Sequence, residues 1–218
     1  MLNESGIMTK VKICGLTCIE DIECANRIQP DYIGMVFYAK SKRAVTLEQA
    51  ASLKAALNKS IKAVGVFVNA ELSFIAHLTQ AGTIDVIQLH GDEDEAYIEQ
   101  LRQQVAPLDV PIIKAIRVQS EESLQNLGQY PVDFFLFDTY KPGLYGGTGE
   151  RFNLELEQVK IPKPYFIAGG LDAGNVAQVV TENSQAYAVD VSGGVEDSAT
   201  GLKDAQKMAD FVAQVKQL

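Results

Sequence analysis

The sequence contains no tryptophan, only two histidines and only three cysteines in 218 residues. Cys14, Cys18 and Cys24 are odd in number and crowd one segment, which is not a disulfide framework. Their C-x3-C-x5-C spacing matches no zinc pattern, and His77 and His90 are the only imidazoles available to complete one. The expectation is free thiols in a reducing cytoplasm and no metal centre. Basic residues are also short. Nineteen Lys+Arg face 28 Asp+Glu, a formal charge of −9, so no basic excess exists to neutralise a nucleic-acid backbone. No apolar run approaches the ~20 residues needed to cross a bilayer. The stretch Met1–Lys10 lacks the apolar core of a secretory signal. Neither nucleic acid nor membrane is therefore an expected partner. No low-complexity linker or composition break marks a second domain.

What the chain does have is the balance of a globular protein, 47% hydrophobic and 22% charged, and enough length to bury a core unaided. Apolar, β-rich runs begin near Lys10, Tyr32, Lys62, Val86, Pro111, Asp133, Tyr165 and Ala186, with successive starts 21 to 32 residues apart. Most are short and nearly continuous, as strands covered on both faces should be. Helical spacing lies between them, as in Ile19, Ile22, Ala25 and Ile28, and in Leu202, Ala205, Met208, Ala209, Val212 and Val215. Thr46 with Gln49 reads as a capping box, and Asn69 and Asp172 as further N-caps. Strand–helix alternation repeated eight times predicts a single α/β (β/α)8 TIM barrel over residues 10–218, after a short extension at 1–9 in which Met8 offers an alternative start. An open doubly wound sheet is the rival fold, but no GxGxxG turn follows the first run.

Barrel chemistry sits at the C-terminal ends of the strands. The polar residues there are Lys12 and Cys14 on one face of the first strand, Gln88 and His90 on the fourth, Lys114 on the fifth, Asp138 on the sixth and Asp190 on the eighth. They are expected to converge on the barrel mouth. A plain internal ion-pair layer, Lys12 with Asp138 or Asp190, is the alternative. Gly169-Gly170 and Gly193-Gly194 end the seventh and eighth strands, where barrels commonly hold a phosphate on backbone N–H groups, with Ser192 as an added hydroxyl donor. Tight turns alone would explain one such pair less surprisingly than two. Four glycines between Gly143 and Gly149 suggest a lid or a passive loop. The residues thus describe a barrel for a phosphorylated small molecule, with an acid/base pair at its mouth.

Read together, the strings Lys12-Ile13-Cys14-Gly15, Ser41-Lys42-Arg43, Gly65-Val66-Phe67-Val68-Asn69, Gln88-Leu89-His90-Gly91, Phe137-Asp138-Thr139, Gly146-Gly147-Thr148-Gly149, Ala168-Gly169-Gly170-Leu171 and Asp190-Val191-Ser192-Gly193-Gly194-Val195-Glu196 occur in this order. The chain from about Lys10 onward resembles the phosphoribosylanthranilate isomerase family of tryptophan biosynthesis. The resemblance implies an Amadori rearrangement of N-(5'-phosphoribosyl)anthranilate, an aminoaldose phosphate, to 1-(o-carboxyphenylamino)-1-deoxyribulose 5-phosphate, with no cofactor. It implies Asp138 as general acid, Cys14 as general base and Arg43 as a fork for the anthranilate carboxylate. Gly169, Gly170, Ser192, Gly193 and Gly194 would hold the phosphate. Asp190 would contact the substrate amine or orient its neighbours. Gln88 and His90 would line the mouth without carrying protons. Lys12 is the candidate cation for lowering the Cys14 thiol, unless a carboxylate claims it. Two other readings compete: the histidine-pathway aminoaldose isomerase, whose two aspartates leave no place for Cys14, and a non-catalytic sugar-phosphate-binding barrel. A monomer and a homodimer fit the sequence equally.

Overall fold

The computed structural model describes residues 8–118, 120–138 and 159–218. Eight strands are present: β1 (Lys10–Cys14), β2 (Tyr32–Phe37), β3 (Lys62–Phe67), β4 (Val86–Leu89), β5 (Ile112–Arg117), β6 (Phe134–Asp138), β7 (Tyr165–Ala168) and β8 (Ala188–Val191). They pair in chain order, all parallel, and β8 returns to β1 to close the barrel. Among the described residues the helices are α1 (Ile19–Ile28), α2 (Leu47–Ala56), α3 (Leu72–Gln80), α4 (Glu95–Val105), α5 (Val176–Glu182) and α6 (Ala205–Lys216).

The core has two layers because strand side chains alternate. One set, including Val64, Val66, Val86, Ile113, Leu136, Phe166 and Ala188, fills the inside of the barrel. The other, including Val11, Ile13, Ile33, Phe67, Phe135, Phe137 and Val189, packs outward under the helices. Val189, Val191 and Phe137 turn outward, so Asp190 and Asp138 between and beside them turn inward.

Helix chemistry follows the sequence in places and departs from it in others. Thr46 and Gln49 do close a capping box on α2. Asn69 is no cap: Glu71 precedes α3, and Asn69 turns the chain at φ 48° while its carboxamide oxygen accepts from Asp92 N–H. Asp172 also misses the cap, which falls to Asn175. Its carboxylate instead accepts from Gly174 N–H in the preceding turn. Leu202 lies before α6 and is exposed, and Phe211 takes the buried place on that helix. The β5–β6 connection is two 3-10 turns, Glu121–Leu124 and Leu127–Gln129, rather than an α-helix. The β6–β7 connection, with the glycines at 143–149, falls largely outside the described residues.

Candidate active site

The base position is built by strand register. Lys12 stands opposite Asp190 across the β1–β8 seam. Both point inward, so a buried ion pair forms with Lys12 Nζ 2.9 Å from Asp190 Oδ2. Of the alternatives for Lys12, the structure selects Asp190. Burial alone would pull the ammonium down, but Asp190 and Cys14 together hold its pKa above the ordinary value. Two residues on, Cys14 faces inward beside Gly34 of β2. A methyl group on Gly34 would stand 2.6 Å from Cys14 Sγ, so the thiol occupies space that only glycine leaves open. Burial pushes the thiol pKa up, and the opposing pull of Lys12 does not overcome it. Burial thus favours the thiol form of Cys14.

The acid position is built from β4 and β6. Asp138 ends β6 facing inward, and its Oδ2 lies 3.5 Å from His90 Nε2. Gln88 Nε2 donates to His90 Nδ1 at 2.9 Å, which leaves the ring hydrogen on Nε2, toward the carboxyl. Two buried oxygens, Asp190 Oδ1 and Gln88 Oε1, have no hydrogen-bond partner among the described residues. Buried acceptors of this kind are costly unless a ligand or water meets them.

Beside the thiol lies a charged cluster. Arg43 crosses the chain at Gly15, where a Cβ would sit 2.4 Å from Arg43 Cδ and where φ is +83°. Its Nε and Nη2 grip the two carboxylate oxygens of Glu196, Nη2 at 2.9 Å from Oε2. Lys203 Nζ reaches Glu196 Oε1 at 3.0 Å and Lys42 Nζ reaches Oε2 at 3.2 Å. The Glu196 carboxyl resists burial because Arg43, Lys203 and Lys42 hold it, down to a pKa of about 2. Burial pulls Lys203 below its ordinary value, against Glu196.

The loops after β7 and β8 touch. A Cβ on Gly194 would lie 1.9 Å from the Leu171 carbonyl oxygen, so backbone approaches backbone there. Gly169 and Gly170 adopt φ of 100° and 66°. Gly193 opens a 3-10 turn beneath Arg43 Nη2. Ser192 Oγ donates to the Cys14 carbonyl at 3.0 Å, so its hydrogen ties β8 to β1 rather than standing free.

Cys14, Asp138, His90, Gln88 and Asp190 thus converge on the mouth. Lys114 does not. It has the outward parity of Ile112 and Ile116, and its ammonium bonds Glu93 and the Gly91 carbonyl at 2.8 Å each. The sequence reading gave no role to Gly34, Glu93, Glu196 and Lys203, which the structure sets against Cys14, Lys114, Arg43 and Glu196 respectively. Glu196 meets Arg43 only through the fold, and Lys203 meets Glu196. Gly146–Gly149 lie outside the described residues. Among those described, no group of three or more His, Cys, Asp or Glu is placed to hold a metal ion.

A closed parallel barrel with an inward thiol on β1 and an inward carboxyl at the end of β6 has the frame of a TIM-barrel enzyme. The chain belongs to the N-(5'phosphoribosyl)anthranilate (PRA) isomerase family, whose model matches residues 11–214. A Thermoanaerobacter sp. (strain X514) N-(5'-phosphoribosyl)anthranilate isomerase is 44% identical over 210 residues, 96% of this chain and 98% of that one. The crystal structure of phosphoribosyl anthranilate isomerase from Thermotoga maritima superposes with a TM-score of 0.80 at 32% identity, covering 97% of this chain and all of that one. A second structure of such an isomerase, in complex with reduced 1-(o-carboxyphenylamino)-1-deoxyribulose 5-phosphate, gives 0.78 at 30% identity over 97% of this chain and 100% of that one.

Proposed function

We infer that this chain converts N-(5'-phosphoribosyl)anthranilate to 1-(o-carboxyphenylamino)-1-deoxyribulose 5-phosphate. The observation that carries this reading is that Cys14 on β1 and Asp138 at the end of β6 both face the inside of the barrel, with Lys12 and Asp190 near the first and His90 against the second. Asp138 gives its proton to the furanose ring oxygen. The C1–O bond breaks as the amine nitrogen lone pair forms a C1=N bond, leaving a cationic Schiff base. As this cation forms, the Cys14 thiol gives its own proton to solvent, which in turn restores the proton of Asp138, and the Cys14 thiolate takes the C2 proton while the electrons of the C2–H bond pass through C1 to nitrogen to give the enolamine. C1 gains a proton as the C2 hydroxyl loses one, which yields the ketone. The sum is an isomerisation, so no external oxidant or reductant is consumed.

The raised thiol suits this order. The iminium cation arrives beside Cys14 only after the acid step, and a nearby cation both favours thiolate and acidifies C2–H. Asp190 Oδ1 accepts the substrate N–H, while Oδ2 keeps Lys12. Arg43 takes the ring carboxylate. The backbone of Gly169, Gly170, Gly193 and Gly194 takes the phosphate. His90 and Gln88 fix the Asp138 carboxyl without themselves exchanging protons with substrate. All these groups come from one chain, so the site needs no second copy. Work in the cytoplasm is part of this reading, supported by three free thiols. No helix among the described residues is long and apolar enough to cross a membrane.

The test uses the emission of the aminobenzoate ring, which falls on conversion. Cys14→Ala and Asp138→Asn are each expected to fold with an unchanged circular dichroism spectrum and to lose ~10²-fold or more in kcat. Turnover within a few-fold of the parent in either variant overturns the assignment.

A further inference from the structure

Glu196 is buried in the loop after β8 and none of the steps above uses it. It nevertheless collects Arg43, Lys203 and Lys42, three cations on one carboxylate. A guanidinium has two edges able to bind a carboxylate in a bidentate manner, the side edge of Nε with one Nη and the end formed by both Nη groups. Glu196 occupies the side edge. Among the described residues Nη1 makes no hydrogen bond, and Nη2 gives only one of its two hydrogens to Glu196, so the end edge holds no carboxylate of its own. Arg43 is one-quarter exposed, and its Nη2 hangs over Gly193 at the mouth.

We propose that Glu196 is the positioning residue for substrate carboxylate recognition: it locks the plane of Arg43 by the side edge so that the end edge stands ready for an aromatic carboxylate. Lys203, 2% exposed, is its anchor. Lys203 also donates to the Ser192 carbonyl at 2.9 Å, which fixes the carboxylate to the β8 loop rather than letting it follow Arg43. A free arginine side chain would lose several rotors on binding substrate. A locked one has lost them already, so binding costs less. The charge count supports the same role. Lys42, Arg43 and Lys203 against Glu196 leave an excess of two positive charges in a chain of net −9. That local excess suits a ligand carrying carboxylate and phosphate together.

This inference rests on the reading of Arg43 as the carboxylate fork, and the experiment separates the two. Arg43→Ala, Glu196→Gln and the double variant are measured with N-(5'-phosphoribosyl)anthranilate and with the aniline analogue that lacks the ring carboxylate. Glu196→Gln is expected to raise KM for the first substrate about tenfold, leave kcat within about twofold, and leave KM for the aniline analogue unchanged. The double variant is expected to be no worse than Arg43→Ala. Wild-type KM in Glu196→Gln alongside a raised KM in Arg43→Ala overturns the positioning role. An equal rise for both substrates also overturns it, because general loosening would not distinguish the carboxylate. An unchanged KM in Arg43→Ala instead overturns the fork itself. If Glu196→Gln does not fold, Lys203→Met, which keeps the carboxylate but removes its anchor, carries the same selective KM expectation and the same overturning results.

Discussion

At the scale of the single residue, the site depends on a side chain that is not there. Gly34 sits opposite Cys14 in the β1–β2 register, and a methyl group would meet Sγ at 2.6 Å and the Cys14 Cα at 3.1 Å. Neither neighbour has room to yield, because Cys14 is packed among the inward side chains of the barrel. Gly34→Ala is therefore expected to displace the thiol. Its cost in stability is ~1–3 kcal/mol, the usual range for overpacking. The cost in kcat is larger in proportion, about tenfold or more, since a misplacement of the order of 1 Å at a reacting group is expensive. Steady-state kinetics and urea unfolding of the same preparation check this, and parental kcat with reduced stability alone would show that the thiol does not need this space. Cys14 itself is visible in the sequence as a polar interruption two residues from Lys12. Gly34 is not, because its role exists only once two strands are in register.

At the scale of the element, the loops after β7 and β8 act as one unit, joined where Gly194 passes the Leu171 carbonyl. A Cβ at 1.9 Å from a backbone oxygen cannot be relieved by turning a side chain, so Gly194→Ala has to part the two loops. The expected result is a KM for the phosphorylated substrate raised about tenfold or more, with a matching loss of inhibition by inorganic phosphate. Unchanged phosphate inhibition would detach these loops from phosphate binding. The strands themselves are readable from their apolar runs to within a residue or two, since a buried parallel strand has little choice of composition. Inward or outward parity is harder. Lys114 lies one residue off the inward set of Ile113 and Ala115, and that single step sends it to Glu93 behind the barrel wall. Asn69 and Asp172 mislead for a related reason: their side chains serve turns one step before the helices, and a turn and a cap ask for the same residue types. Glu196 carries no local signal, because its partner Arg43 is 153 residues away along the chain.

At the scale of the whole molecule, closure of the barrel is secured twice by charge, through Lys12–Asp190 within the β1–β8 seam and through Glu196, which ties the loop after β8 to Arg43 beyond β2. Glu196 makes this closure sensitive to acid. Its folded-state pKa is depressed from the ordinary 4.5 to about 2, so the folded state binds a proton less readily than the unfolded chain. The stabilisation is complete above the unfolded value and is lost as pH falls from about 4.5 toward about 2. The size of the shift corresponds to about 3 kcal/mol, reduced to about 2 kcal/mol by solvent at the partly open Arg43 and Lys42. Urea unfolding followed by tyrosine emission, which no tryptophan obscures, should therefore separate the parent from Glu196→Gln by about 2 kcal/mol at pH 7. The gap should narrow steadily below pH 4.5 and all but close near pH 2. A gap that holds constant over that range would mean that the glutamine variant fails through shape rather than charge. The contribution of Glu196 to the barrel would then be packing, and the excess positive charge beside Cys14 would not be what the buried carboxylate is there to organise.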